Sequence, residues 1–242
     1  MMKPSQRLYI AADLGHNHSV ALDAGQAHYL AHVLRLPVGA AILLFNGRDG
    51  EWLAHLSQIG KKGAEALCAE QTRTQTPVCD LDLLFAPVKG DRTDTIVEKA
   101  TELGVARIRP VLTERTIVRK LNLDRLRSRA AEASEQCGTL FVPELFDAIS
   151  LMSLLDPKAE QRVILFADEA GDAMPVGEAL ADKPARVALL TGPEGGFTPA
   201  EREKLRASPL VRAVNLGPRI LRADTATFAG LTLIQSAWGD WV

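Results

Sequence analysis

VALLTGPEGGFTPAEREKL (residues 187–205) and AVNLGPRILRADTATFAGLTLIQSAW (residues 213–238) decide the fold. Each reads as an apolar strand, a glycine-bearing loop and a helix. In α/β proteins, ligands sit outside the C-terminal ends of parallel strands. Two such loops this close in the chain predict one composite pocket. Thr198-Pro199-Ala200-Glu201 is a capping box with proline at the first helical position, which marks a helix start. The loop from Thr191 to Phe197 carries three glycines, whose backbones can approach a ligand closely. It is neither GxGxxG nor GxxxxGK[ST], so the dinucleotide and P-loop readings lose their specific support. A hydrolase or kinase reading also lacks a nucleophile elbow and a P-loop lysine. The second loop, Leu216 to Arg222, has Arg219 and Arg222 flanking Ile220 and Leu221. That pattern suits a pocket for a flat apolar group beside something anionic.

Working outward, strands and helices alternate from Asp80 onward. LDLLFAPV precedes a helix from about Asp91 to Leu103 that Gly104 stops, in the C′ position glycine favours. ARIRPVLT precedes a helix over Leu123–Cys137 that Gly138 stops. RVILFADE, RVALLTG and RAVNLG are the later strands, and Asp224 or Thr225 opens the last helix. Such alternation implies a mostly parallel sheet with helices on both faces. The first 75 or so residues differ: short runs (RLYIA, AAILLF, EWLAHL), an Asn46-Gly47 hairpin signal and one helix over Ala27–Arg35 predict a small β-barrel domain. Glu70 to Pro77 reads as the linker. Two domains follow, 1–72 and 77–242.

At 47% apolar and 24% charged residues, the composition is that of a globular protein. No apolar run approaches the roughly 18 residues of a membrane span, and the N-terminal residues show no signal-peptide core. Cys68, Cys79 and Cys137 have no metal-ligand spacing, and free thiols in a reducing cytoplasm are expected. All five histidines lie in the first domain. His28 and His32 share a helix face without a cysteine at ligand spacing, so no metal is expected. Net charge is −2, yet Arg107 to Arg129 holds eight basic residues against Glu114 and Asp124. A solvated helix face and a phosphate-tracking surface both fit this run.

Taken together, VEKATELGV with RIRPV, AAEASEQCGTLFVPEL, LTGPEGGFTPAE and LGPRILRADTA resemble the RsmE family, ribosomal RNA uridine-N3 methyltransferases of the SPOUT class. HYLAHVLRLPVGAAILLFNGRDGEWLAHL is similar to that family's PUA-like RNA-binding domain. The likeness spans nearly the whole chain, with its motifs in the family's order. It implies a parallel α/β sheet whose C-terminal segment forms a trefoil knot, an exception to the rule that chains do not thread loops. It further implies S-adenosyl-L-methionine as cofactor, a homodimer, and as substrate a uridine of 16S ribosomal RNA in the small subunit, methylated on N3.

Carried over position by position, the cofactor would meet Leu190, Thr191, Gly192, Pro193, Glu194, Gly195 and Gly196. From the second loop it would meet Leu216, Gly217, Ile220 and Leu221, with Thr225 and Ala226 behind. The strand end at Phe85 to Lys89 borders the same region. Arg222 is the first candidate to stabilise charge on the base and Arg219 the second, since arginine stays charged and presents a fork of donors. Glu194 could accept the proton or simply shape its loop. Arg7, Arg35, Lys89, Arg115, Arg119 and Arg125 are the candidate RNA contacts. One departure from the family is Asp224, where glutamate is usual; a helix N-cap tolerates that change, and a capping role is expected. An assembly factor that binds RNA through the barrel and carries an inert knot domain is the alternative, disfavoured by the intact loops.

Overall fold

The computed structural model describes residues 6–60, 63–156, 162–169 and 172–242. They pack into two compact units: residues up to Pro77 together with Ser134–Val142, and Val78–Ala133 together with Pro143–Val242.

The first unit holds β1 (Arg7–Tyr9), β2 (Ser19–Leu22), α1 (Ala24–His28), a π-helical turn (Tyr29–Val33), β3 (Ala41–Phe45), β4 (Glu51–Gly60) and β5 (Gly63–Arg73). Its sheet runs β1-β3-β4-β5-β2, with β1 and β3 parallel and the other pairs antiparallel. Alternation places Ala64, Ala66 and Cys68 of β5 inward, against Val20, Ile42, Leu44 and Leu56. Two expectations need correction here, the helix start and the linker, while the hairpin at Asn46-Gly47 forms. The helix starts earlier than Ala27, because Asp23 and Gln26 form a reciprocal capping box. The β3–β4 connection is a five-residue loop in which the Asn46 side chain, only 3% exposed, accepts the Arg48 and Asp49 amides. Asn46 is thus the internal brace of the loop in the expected β3–β4 hairpin. Glu70–Arg73 belongs to β5 rather than to a linker, since its pairing with Glu51–Leu53 satisfies the backbone there.

The second unit holds β6 (Leu81–Phe85), α2 (Arg92–Glu102), β7 (Arg107–Leu112), α3 (Leu123–Cys137), β8 (Glu144–Leu145), β9 (Ile149–Ser150), α4 (Leu151–Leu154), β10 (Val163–Ala167), β11 (Met174–Pro175), α5 (Val176–Ala179), β12 (Val187–Thr191), α6 (Pro199–Ala207), β13 (Val211–Asn215) and α7 (Ala223–Ala237). The last turn of α3, from Ser134, belongs to the first unit. The sheet order is β11-β13-β10-β12-β6-β7-β8, with every pair parallel and β9 beside β7. β6 and β12 are buried at every position, as befits central strands covered on both faces. Gly104 ends α2 at φ +76, a left-handed conformation that favours glycine. α7 lies flush on β12, because a Cβ on Gly230 would come within 2.7 Å of Leu189. Among the described residues, no helix is long and apolar enough to cross a membrane.

The N-terminal edge of this sheet carries an ion cluster. Asp80 and Asp82 at the start of β6 meet Arg107, Arg162 and Arg186 at the starts of β7, β10 and β12. Arg107 Nε donates to Asp82 at 2.7 Å.

Candidate functional site

At the opposite edge, the C-terminal ends of β10, β12 and β13 surround a cleft of about 630 Å³. The 192–197 loop after β12 forms one wall and Ile220–Ala223 another, with Arg92, Ala167, Glu169 and Ala226 completing the lining. A smaller cleft of about 160 Å³ adjoins it, lined by Asn215–Leu221, Ala167, Asp168, Glu169 and Ala226. Parallel order explains the convergence: β10 pairs with β12 on one side and β13 on the other, so all three loops leave the same edge.

The first loop is held tightly. A Cβ on Gly192 would lie 2.6 Å from the Phe197 ring, so glycine lets that ring fold back over the backbone. Phe197 in turn meets Phe166 edge to face, with ring centroids 5.0 Å apart. Gly196 has φ +65 and donates its amide to the Pro193 carbonyl at 2.9 Å. Arg115 Nη1 donates to the Gly195 carbonyl at 2.7 Å. Glu194 Oε1 accepts the Lys89 amide at 3.2 Å and Arg92 Nη2 at 3.3 Å. The loop closes on α6, where Thr198 and Glu201 cap reciprocally, and buried Glu201 also accepts the Glu114 amide at 2.8 Å.

The second loop is anchored at its end and open along its length. Thr227, one turn into α7, donates to the Ala223 carbonyl at 2.8 Å, and its hydroxyl lies 3.0 Å from that of Thr191. This joins β12 to the helix that follows the loop. Arg219 and Arg222 are exposed, and neither makes an ion pair or side-chain hydrogen bond among the described residues. Ile220 is 86% exposed.

At the smaller cleft, the Asp168 carboxylate is held by Arg202 and Arg206 of α6. Arg206 also forks onto Asp172, 2.7 Å to each oxygen, and holds that carboxyl down at about 2. These charges are engaged with one another and maintain the scaffold.

Most of the expected cofactor residues therefore meet: Thr191, Gly192, Pro193, Glu194, Gly195, Gly196, Ile220, Leu221 and Ala226 line the larger cleft, and Leu216 and Gly217 the smaller. Two do not. Leu190 is fully buried in the core beneath the loop, and exposed Thr225 lies outside both linings. The capping expectation is corrected as well: Arg222 occupies the N-cap of α7 without a side-chain cap. Asp224 sits inside the first turn, where its carboxylate accepts the Thr225 amide at 3.0 Å. Ala167 and Glu169 were missed by the sequence reading, although the end of RVILFADE was a signal for them once β10 was set beside β12.

Of the RNA candidates, Arg7 is the clear correction. Its Nε donates to Glu51 at 2.7 Å, its Nη atoms reach the carbonyls of Ser134, Glu135 and Thr139, and its guanidinium stacks over Phe45 at 4.6 Å. That group binds the fold of the first unit together and is not available to a ligand. Arg125 pairs with Asp94 and Asp91, Arg127 with Asp124, and Arg129 with Glu132. Much of the positive run is thus neutralised locally. Arg35 and Arg119 are exposed and without ion pairs among the described residues. Lys89 is exposed too, and its backbone is held by Glu194.

Comparison with known proteins agrees with this architecture. Residues 74–235 match the RNA methyltransferase domain model, and residues 22–67 match the RNA methyltransferase PUA domain. The chain is 32% identical to a ribosomal RNA small subunit methyltransferase E from Rickettsia conorii, over 95% of this chain and 94% of the relative. It is 29% identical to that of Bacillus subtilis, over 89% of each. A crystal structure of the Neisseria gonorrhoeae methyltransferase E, bound to S-adenosyl methionine, superposes with TM-score 0.87 at 31% identity, covering 98% of this chain and 99% of that one. The parallel sheet, the paired loops at its C-terminal edge and these likenesses place the chain in the ribosomal RNA small subunit methyltransferase E family of RNA methyltransferases.

Proposed function

We propose that this chain transfers a methyl group from S-adenosyl-L-methionine to N3 of a uridine in 16S ribosomal RNA of the small subunit. The observation that carries the reading is the convergence of two loops on one cleft of about 630 Å³ with unlike walls. One wall is glycine backbone and the other is Ile220, Leu221 and Arg222. The residues suit the cofactor. Leu216, Pro218, Ile220 and Leu221 offer apolar surface for adenine, and the loop amides and carbonyls offer partners for its edge. Both signs of charge line the larger cleft, through Glu169, Glu194, Arg92 and Arg222, as a zwitterion with a sulfonium requires. S-adenosyl-L-methionine supplies an already activated methyl group.

The protein's task is then the nucleophile. Uracil N3 carries a proton between two carbonyls and attacks only once that proton leaves. Arg222 has a free guanidinium at the cleft and stabilises the negative charge that spreads to O2 and O4. Arg219, on the adjoining cleft, is the second candidate. Glu194 directs both of its hydrogen bonds through Oε1, leaving Oε2 to take the proton directly or through water. The 192–196 backbone and Ile220–Arg222 would hold the cofactor in place, and transfer requires nitrogen, methyl and sulfur to be aligned.

Because the N3 edge of a paired uridine is occupied, the base must be met unpaired or drawn from its stack. Arg35, Lys89, Arg115 and Arg119 would contact phosphates, with affinity that falls as salt rises. Arg115 does so with what remains of its guanidinium beyond the Gly195 carbonyl. The knot implied by the resemblance, with 216–222 threaded beside 192–197, and association of two copies belong to the same proposal. Leu233, Trp241 and Val242, exposed apolar residues of the C-terminal region, support the second.

Two measurements test the proposal. Calorimetry with S-adenosylmethionine should show one site per chain. Nucleoside mass spectrometry of small-subunit RNA from cells with and without the gene should show 3-methyluridine only in the first. Equal 3-methyluridine in both would overturn the reaction and leave an RNA-binding assembly factor as the better account.

A further inference from the structure

The larger and smaller clefts share five lining residues, Ala167, Glu169, Ile220, Leu221 and Ala226, and Glu169 is the only one of them that bears a charge. It sits just past the end of β10 with its side chain half exposed. Its one ion-pair contact among the described residues is Arg202, at 3.9 Å, beyond hydrogen-bonding distance, although Arg115 and Arg206 line a further cleft with it. The adjacent Asp168 is by contrast fully engaged with Arg202 and Arg206. Glu169 Oε1 also lies 3.3 Å from where a Cβ on Gly196 would be, so the carboxylate rests against the glycine backbone of the first loop. A carboxylate without a hydrogen-bond partner among the described residues, at the junction of two clefts, is placed to accept donors from whatever spans them.

Resting on the cofactor reading above, we infer that Glu169 receives the ribose hydroxyls of the cofactor. The order of groups along the molecule supports this placement. Adenine suits the smaller cleft, where Leu216, Pro218, Ile220 and Leu221 supply apolar surface. The amino-acid end suits the larger cleft, where Arg92, Glu194 and Arg222 supply charge. Ribose lies between adenine and the sulfonium, so it falls at the junction, where Glu169 stands. A vicinal diol presents two O–H donors, and an ionised carboxylate is an acceptor only, with an oxygen for each. Hydrogen bonds to a charged acceptor are about twice as strong as neutral ones. The same logic puts an acidic side chain on the ribose of dinucleotides in a different α/β fold.

The test is binding, read by calorimetry on the full-length protein without RNA. The ligands are S-adenosylhomocysteine, methylthioadenosine, which lacks the amino-acid end, and 2′-deoxy-S-adenosylhomocysteine. Glu169→Ala should weaken S-adenosylhomocysteine and methylthioadenosine alike, by about 10- to 100-fold. It should weaken the 2′-deoxy ligand distinctly less, because that ligand has already lost one of the two hydroxyls. Glu169→Gln, which keeps the shape and one acceptor, should fall between, and thermal melts of both variants should match the parent. If methylthioadenosine binds the variant as well as the parent while S-adenosylhomocysteine does not, the carboxylate faces the ammonium group and the ribose assignment is wrong. Unchanged binding of all three ligands would likewise overturn it while leaving the cofactor reading intact. A parent protein that binds none of them would sink the cofactor reading, and this inference with it.

Discussion

The two edges of the larger sheet use the same residue types to opposite ends. At the N-terminal edge, Asp80 and Asp82 are surrounded by Arg107, Arg162 and Arg186, and every one of these groups has a partner. At the C-terminal edge, Arg219 and Arg222 have none among the described residues, and Glu169 has only a distant one. Arginine and carboxylate are costly to order and desolvate, so a fold that needs them only for itself lets them neutralise one another. Leaving them apart around a concave surface makes sense when something else supplies the partner. Among the described residues, lack of a close partner marks Arg219, Arg222 and Glu169 as the charges open to a ligand, whereas Glu194 at the same edge is tied to Arg92.

The sharpest way to break that contrast is to remove one member from each edge. Asp82 is 11% exposed and meets Arg162, whose side chain is 6% exposed. Asp82→Ala leaves buried Arg162 and partly buried Arg107 with Asp80 as their remaining carboxylate, so it should cost about 1–3 kcal/mol of stability. Urea unfolding measures this, and a loss below about 1 kcal/mol would show that the cluster is solvated and adds little. Arg222→Ala should do the reverse. Stability should change by no more than about 0.5 kcal/mol, as for surface positions generally. The rate of 3-methyluridine formation on small-subunit RNA should drop about 10²- to 10³-fold, the usual effect of deleting one charge-stabilising donor. A variant that melts early, or one that retains activity within a factor of two, would place Arg222 with the structural charges instead.

How much of this was legible in the sequence follows the same division. Elements governed by local chemistry were readable: the capping box at Thr198 and Glu201, the stop at Gly104, and the Leu123–Cys137 helix with Gly138 behind it all appear where the residues put them. The two cleft loops were readable because glycine and arginine in that order have few other uses. Partner choice was not. Arg7 and Arg35 look alike in sequence, yet Arg7 reaches the carbonyls of Ser134, Glu135 and Thr139 more than a hundred positions away. Long-range pairing of that kind leaves no periodic trace. Glu169 escaped for a related reason: its place at the clefts follows from sheet order, which sets β10 between β12 and β13 and is not written in any local pattern.

A third variant probes the wall rather than the charges. Gly192→Ala places a methyl group against the Phe197 ring, which also packs edge to face on Phe166. Overpacking of this kind costs about 1–3 kcal/mol. Because Phe197 ends the 192–197 loop, displacing its ring should shift that loop, and affinity for S-adenosylhomocysteine should fall along with stability. Calorimetry and thermal melts on the same preparation check both. Loss of stability with unchanged affinity would mean that the loop's shape is set elsewhere, by the Arg115 and Glu194 contacts.

The smallest effect tests whether pairing also sorts the basic run at residues 107–129. Arg125 is tied to Asp94 and Asp91, whereas Arg119 is exposed and unpaired among the described residues. If free cations make the phosphate contacts, Arg119→Ala should lower the salt dependence of RNA binding, with the slope of log affinity against log salt falling by about 0.7–0.9, one phosphate's share. Arg125→Ala removes the same formal charge but also releases two carboxylates, which repel RNA. Its affinity should therefore fall at low salt with little change in the number of phosphates contacted. Equal loss of slope in the two variants would show that Arg125 abandons its carboxylates when RNA arrives. Pairing in the free protein would then mark a reserve of phosphate ligands, and the contrast between the two edges would hold only for charges too buried to exchange partners.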